Sequence, residues 1–326
     1  MVSTTTLLPL LPLLPLINSP EHYRELFKNN LIWEPAIKMI CEKHQINYVE
    51  SQSFRRSEIG SHIVYKTGAF WIKLMAPIYE KEMMYEIAGL KLVAGRLSVK
   101  TPEIVGHGFI EGWPYIILTE VPGDAIKSIW DKLDVPDQTV VIKSMARTIK
   151  EIAVCPAGDL IMKRFDWNEF ISEQYRKCET LQIQKPMPDA WLKNLKAFIN
   201  EFEVQEFTTS SPRFLHSDLS YDHFLISTGS ESLLSGVIDW ADCQWGHPEY
   251  ELAAPCVFIF KNNRNSLYSF LSELGFENLD QHFSRKLLAW CLLHRYFSNF
   301  SSFFKSEMDQ CQSGNFSELA QLVFPL

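Results

Sequence analysis

No Cys-x-x-Cys pair occurs in the 326 residues, and the seven cysteines, an odd number, stand apart at positions 41, 155, 178, 243, 256, 291 and 311. Their spacing argues against a disulfide framework and a thiolate zinc site, and it fits a protein of the reducing cytoplasm. An excess of positive charge is also missing. The 31 Lys and Arg fall short of the 39 Asp and Glu, leaving a formal net charge of −8. General attraction to nucleic acid or to anionic membranes is therefore disfavoured. Long apolar runs are absent too. Leu7 to Ile17 (LLPLLPLLPLI) is the one candidate, but it is too short to span a bilayer, holds three prolines and follows no basic residue. It reads as an extended arm lying on the protein, with tethering or partner docking as the alternative. No internal repeat is visible. What is present is globular: 46% apolar residues, 21% charged, and 22 Phe, 11 Tyr and 9 Trp, in a length that suits two domains or two lobes.

Behind the arm, Ser19-Pro20-Glu21 has the order of an N-cap, a first-turn proline and an acidic first turn, and Tyr23, Leu26, Phe27, Ile37 and Ile40 keep helical spacing. Two short helices are expected over residues 20 to 44. Ser61 to Tyr65 and Ala69 to Leu74 then alternate about Lys66-Thr67-Gly68, which predicts a hairpin. Residues 79 to 97 return to helix, with Met83, Ile87, Leu90 and Val93 on one face and Glu82 and Glu86 near another. Strands follow at 103 to 110 and 114 to 119, turning at Glu111-Gly112. Val121-Pro122-Gly123 punctuates the chain, so the boundary is placed there: a first lobe of residues 1–121, with the arm at 1–19, and a second lobe of 122–326. The second lobe reads as helical to about residue 207, with a hairpin around Ser227 to Ser232 and a Phe-rich helical end.

The densest chemistry lies in Phe214-Leu215-His216-Ser217-Asp218-Leu219-Ser220-Tyr221-Asp222-His223-Phe224-Leu225, followed by Gly236-Val237-Ile238-Asp239-Trp240. Each polar group sits at the end of an apolar strand. A carboxylate there, a metal-ligating side chain five residues on, and a second carboxylate ending the partner strand make a phosphoryl-transfer constellation: one Asp takes the proton of the attacking hydroxyl and the others hold magnesium. Taken singly, these residues are ordinary turn and cap residues. Their ordered joint spacing is what carries the signal.

These motifs resemble the aminoglycoside phosphotransferase family, whose loop reads His-x-Asp-x-x-x-x-Asn and whose metal strand ends in Ile-Asp-Phe or Ile-Asp-Trp. The resemblance implies a bilobal, protein-kinase-like α+β fold, with an antiparallel sheet in the first lobe and a mostly helical second lobe. It assigns Asp218 as catalytic base, His216 as the histidine bracing the loop, and Asp239 as magnesium ligand. His223 stands where the family has Asn, a feature similar to the macrolide phosphotransferases, and becomes the second metal ligand. In the first lobe, Lys73 ends an apolar strand and Glu86 lies on the next helix, an arrangement that suits an ammonium held over nucleotide phosphates. Gly60 and Ser61 are similar to the family's nucleotide loop, and Glu120 and Val121 to its hinge against the base. Gly246-His247-Pro248-Glu249-Tyr250-Glu251-Leu252-Ala253 resembles Gly-Asp-Pro-x-x-Asp-Leu-Ala with both acids changed, which leaves their roles open.

The expected activity is transfer of the γ-phosphate of ATP or GTP, with Mg2+ (Mn2+ as the alternative), to a hydroxyl of a small molecule, an antibiotic-like natural product above a housekeeping metabolite such as an amino alcohol. No nucleic acid or membrane span is expected among its partners. Two other classes stay open: a nucleotide-binding pseudokinase acting as an interaction module, and a metal-dependent hydrolase built on Asp218, His223, Asp239 and His247, which would have no use for Lys73. Cys41-Glu42-Lys43-His44 reads as exposed surface, and Phe297, Phe300, Phe303 and Phe304 as helix packing ahead of an aromatic substrate wall.

Overall fold

The computed structural model describes residues 12–47, 55–57, 60–156, 166–185, 187–227, 233–297 and 299–326. Two compact units emerge: Met1–Ile87 with Pro102–Glu120, and Ala88–Thr101 with Val121–Leu326. A single cut after residue 121 differs from this division in two respects, the assignment of 88–101 and of Val121. Lys100 explains the first, because its N–H donates to the Ser235 carbonyl at 3.1 Å and its carbonyl accepts from Val237 N–H at 3.0 Å, both partners in the second unit.

In the first unit, Ser19 caps α1 (Pro20–Phe27) by accepting the His22 N–H at 3.2 Å, and Asn29 caps α2 (Asn30–Lys43). These helices cover a five-stranded antiparallel sheet of β1 (Arg55–Arg56), β2 (Ile63–Thr67), β3 (Phe70–Leu74), β4 (Ile104–Ile110) and β5 (Trp113–Thr119), in the order β1-β2-β3-β5-β4. Helix α3 (Glu80–Val93) lies between β3 and β4 in the chain. The turn from β2 to β3 is Gly68-Ala69, slightly later than the sequence suggests, since Thr67 pairs with Phe70 and Gly68 takes a φ of +58°. Central β5 is buried from Trp113 to Leu118, whereas β4 at the edge alternates between half-buried and exposed positions. Tyr23, Trp33 and Trp113 meet edge-on or tilted at 5.3–6.3 Å and anchor the core.

The arm joins that core. Glu111 accepts the Leu13 and Leu14 N–H groups at 3.0 and 2.8 Å, and Leu14 and Ile17 are buried. Leu7 to Leu11 lie outside the described residues. Cys41-Glu42-Lys43-His44 is only in part the exposed surface its composition suggests: Glu42 and Lys43 are exposed, but Cys41 is fully buried, and the half-buried His44 ring reaches the Tyr115 hydroxyl at 3.0 Å.

The second unit holds residues 88–101, which include the C-terminal part of α3, and from Val121 continues with β6 (Asp124–Ala125), α4 (Ile126–Ile129), α5 (Val135–Ala153), α6 (Trp167–Ile183) and α7 (Asp189–Ile199). Four short strands follow: β7 (Arg213–Leu215), β8 (Phe224–Ile226), β9 (Leu234–Val237) and β10 (Gln244–Gly246). They form a β6-β8-β9 sheet and a β7–β10 ribbon, so the expected hairpin is β8–β9, with residues 228–232 of its turn outside the described set. Helices α8 (Ala253–Phe258), α9 (Arg264–Leu274), α10 (Gln281–Leu293), α11 (Phe300–Met308) and α12 (Phe316–Val323) complete the unit. Phe297, Phe300 and Phe304 are buried among them, as core residues. Among the described residues no helix is long and apolar enough to cross a membrane.

Candidate active site

The first unit supplies an ion pair. Strand β3 is apolar up to Ile72, and its register, Lys73 opposite Val64 and Ile116, carries Lys73 into the interior. Its Nζ lies 2.9 Å from Glu86 Oε2, with the two side chains only 8% and 2% exposed. A lysine so deeply placed needs a carboxylate, because an unpaired ammonium there would lose its hydration without return. Glu82, one helical turn earlier, meets His62 Nε2 at 2.8 Å. Gly60, with a φ of +111°, and Ser61 form the turn before β2. Glu120 places its carboxylate on Lys66 and donates its N–H to the Ala69 carbonyl at 2.9 Å. Val121 opens the second unit.

The second unit supplies a loop pinned from several directions. Strand β7 delivers His216, whose ring is fully buried against Trp240 at 4.7 Å. His216 Nδ1 accepts the Asp218 N–H at 3.3 Å, so Nε2 carries the proton and donates to the Ile238 carbonyl at 3.0 Å. One imidazole thus joins the turn before Asp218 to the residue before Asp239. Glu251, buried, accepts the N–H groups of His216 and Ser217 at 2.6 and 2.9 Å. Burial pushes its carboxyl up to about 8, against the pull of those two amides. Gln244 donates to Ser217 Oγ at 2.9 Å, and His294 Nε2 donates to the Ser217 carbonyl at 3.2 Å. Burial drives the His294 imidazole down to about 3, so it remains neutral, stacked on Tyr250 at 4.3 Å. These ties hold Ser217 at φ +70°, and Asp239 similarly sits at +64°. Non-glycine residues in that region cost about 1–3 kcal/mol each, and such strain collects where a side chain must be aimed.

Asp218 and Asp239 meet at His223. Its Nδ1 donates to the Asp218 backbone carbonyl at 2.6 Å and lies 3.5 Å from the Asp218 carboxylate, while Nε2 is 3.7 Å from Asp239 Oδ2. Burial raises the Asp218 carboxyl to about 6; His223 and Arg295 pull it down, and Asp242 and Asp239 push it up. Burial works against charge on His223, but Asp239, Asp218 and Asp222 outweigh it, and its proton is held more tightly than usual. Asp242 is gripped by Arg295 at 3.3 Å and by the Tyr296 hydroxyl.

Among the described residues no group of three or more His, Cys, Asp or Glu side chains forms a metal cage. The pair that is present still fits a small hard cation. With Nδ1–H committed to a carbonyl, His223 turns Nε2 toward Asp239 at 3.7 Å. Two ligands each about 2.1 Å from one Mg2+ at right angles stand about 3 Å apart, and Mg2+ takes its other ligands from water and phosphate. Metal binding there must displace a proton from His223. His247, in contrast, accepts the Glu249 N–H at 3.2 Å and rests its ring on Trp290 at 5.3 Å, which caps the turn after it and argues against a hydrolase centre that uses it.

Every residue expected from sequence in the catalytic loop therefore falls in one cluster, and the Lys73–Glu86 pair forms. Glu251, Asp242, Arg295 and His294 were missed as site residues. For Glu251 a signal existed, since it occupies the second acidic position of the Gly-x-Pro-x-x-acid-Leu-Ala segment; for Arg295 and His294, on the far side of α10 in sequence, there was none.

The sequence profile described as the phosphotransferase enzyme family matches residues 61–282. No curated protein matches the chain in sequence. Among solved structures, the GDP complex of wild-type aminoglycoside 2'-phosphotransferase-IIIa is similar with a TM-score of 0.70 and 17% identity, over 88% of this chain and 97% of that one. The GDP and kanamycin complex of APH(2")-IIIa gives 0.69 and 18%, over 88% and 95%. Macrolide 2'-phosphotransferase MphH from Brachybacterium faecium gives 0.57 and 15%, over 89% and 98%. At such identities the likeness is one of fold, and the fold is bilobal, α+β and kinase-like.

Proposed function

We propose, from the premise that this chain belongs to the phosphotransferase enzyme family and is a small-molecule O-phosphotransferase, that it moves the γ-phosphate of ATP or GTP to a hydroxyl of an antibiotic-like natural product. The observation that carries the reading is the convergence of Asp218, His223 and Asp239 on a loop tied down by His216 and Glu251. Asp218 takes the proton of the attacking hydroxyl through its carboxylate, and the burial that raises it to about 6 keeps it ionised at neutral pH yet basic enough to accept that proton. His216 orients the loop and touches no reacting atom. Asp239 and His223 would hold Mg2+, or Mn2+, which when bound supplies charge neutralisation on the phosphates. Lys73 contacts phosphate oxygens, and Glu86 fixes the direction of its ammonium. Because the Glu120 N–H is taken by Ala69, the base edge meets the Glu120 carbonyl and the Val121 backbone.

Solved structures of similar fold support a nucleotide donor, one with GDP and one with ATP and streptomycin. Seven free cysteines suit the reducing cytoplasm as the working compartment. The test incubates the enzyme with Mg2+ and either ATP or GTP across a library of aminoglycosides, macrolides and amino alcohols, and follows nucleoside diphosphate release and product mass. A product heavier by one phosphoryl group, absent with Asp218→Asn, is expected. Nucleotide binding without any phosphorylated acceptor would instead favour an interaction module.

A further inference from the structure

We infer that His62 is a positioning residue for the nucleotide, acting as a latch that ties the phosphate loop to helix α3 through Glu82. The inference rests on the reading of Gly60 and Ser61 as the loop that meets phosphate. His62 directly follows them and directly precedes β2. Its Nε2 lies 2.8 Å from Glu82 Oε2, its ring stands edge-on to Tyr79 at 5.5 Å, and the residue is 4% exposed. Four residues further along the same helix, Glu86 receives Lys73 from β3. Sheet and helix are thus joined by two rungs, each ending on a helix carboxylate one turn apart, and the His62 rung is the one attached to the loop.

A purely structural role fits this histidine poorly. Its Nδ1 is buried with no hydrogen-bond partner among the described residues. Neutral imidazole leaves a lone pair there unsatisfied, and imidazolium leaves an N–H unsatisfied. Native structures rarely keep such a group unless it does something else. What it does here follows from connectivity. Gly60, at φ +111°, has the freest backbone of the residues at this turn, and among the described residues nothing stands within 4 Å of where a Cβ would sit. Ordering such a residue against phosphate costs conformational entropy. A bond from its last residue to α3 removes part of that loss before the nucleotide arrives, and it holds the helix turn that carries Glu86.

The test measures Mg-ATP and Mg-GTP affinity by calorimetry, together with kcat and both KM values, for wild type, Glu82→Ala, His62→Ala, His62→Asn and Glu82→Ala/His62→Ala. Glu82→Ala and His62→Ala should each raise the nucleotide Kd about tenfold, the loss expected when one charge-assisted bond disappears. Acceptor KM and saturated kcat should move less than about twofold, since binding is lost equally from ground and transition states. The double variant should be no weaker than the worse single one, because both changes break one bond. His62→Asn, whose amide still donates, should recover most of the affinity. Glu82 is partly exposed, so Glu82→Ala remains informative if His62→Ala unfolds. Wild type that binds nucleotide while Glu82→Ala binds it equally well would overturn the latch alone, as would fully additive losses. Wild type that binds neither nucleotide would overturn the functional reading and the latch with it.

Discussion

The two units handle charge in opposite ways. In the first, one ammonium meets one carboxylate at 2.9 Å in a nearly dry place, so Lys73 and Glu86 are balanced before any ligand arrives. In the second, Asp218, Asp222, Asp239 and Asp242 gather around His223 and Arg295, and the carboxylates outnumber the cations. A balanced pair keeps its geometry without help, whereas an anionic cluster is completed by a cation from outside. Under the proposed function, precision is expected of the first unit and sensitivity to pH and to metal of the second.

The sharpest way to break that contrast is Asp218→Asn, which removes the proposed base while leaving Lys73 and Glu86 untouched. A loss in kcat of about 10²–10⁴-fold with nucleotide affinity nearly unchanged is expected. Steady-state kinetics with calorimetry decides it, and near-normal turnover would show that the cluster is not the catalytic end.

Glu251→Ala should cost about 2–5 kcal/mol in chemical denaturation, because two buried amides lose their acceptor. Glu251→Gln sharpens the same point through pH. The folded carboxyl titrates near 8 against an ordinary 4.5, so between those values the folded protein holds a proton that the unfolded chain has released. Its contribution to stability is whole below about 4.5 and lost as pH rises through about 8. Wild type should therefore lose stability relative to Glu251→Gln from pH 5 to 8, and parallel curves would count against a protonated Glu251.

A smaller effect is the acid limb of activity. With Asp218 titrating near 6, kcat/KM should fall as pH drops through that value, for both ATP and GTP, with no matching change in the Lys73–Glu86 unit's nucleotide affinity. A limb near 4 would mean that the surroundings do not raise this carboxyl. Smallest is His223→Asn: replacing the nitrogen ligand by an amide oxygen should lower the Mn2+ to Mg2+ activity ratio a few-fold, and an unchanged ratio would remove His223 from the metal site.

Much of this was legible because it is local. The cap Ser19-Pro20, the β2–β3 hairpin and helix α3 each follow from residues within a few positions of one another. The loop from His216 to His223 was legible for the same reason, since Asp218 reaches His223 five residues away. Cys41 misled because a charged neighbourhood says nothing about which helix face turns inward.

Helices α1 to α3, the β2–β3, β4–β5 and β8–β9 strand pairs, the family resemblance and the candidates Lys73, Asp218, His223 and Asp239 could be read along the chain, because short-range spacing and strand-end placement encode them. The short strands β1, β6 and β10 could not, and neither could three long-range facts: Glu251, 35 residues from His216, holds the loop backbone, residues 88–101 belong with the second unit, and His62 reaches across 20 residues to Glu82. The tertiary structure also decided the titration of Asp218 and Glu251, since desolvation and the charges around a group depend on what folds over it, and chain spacing does not carry that information.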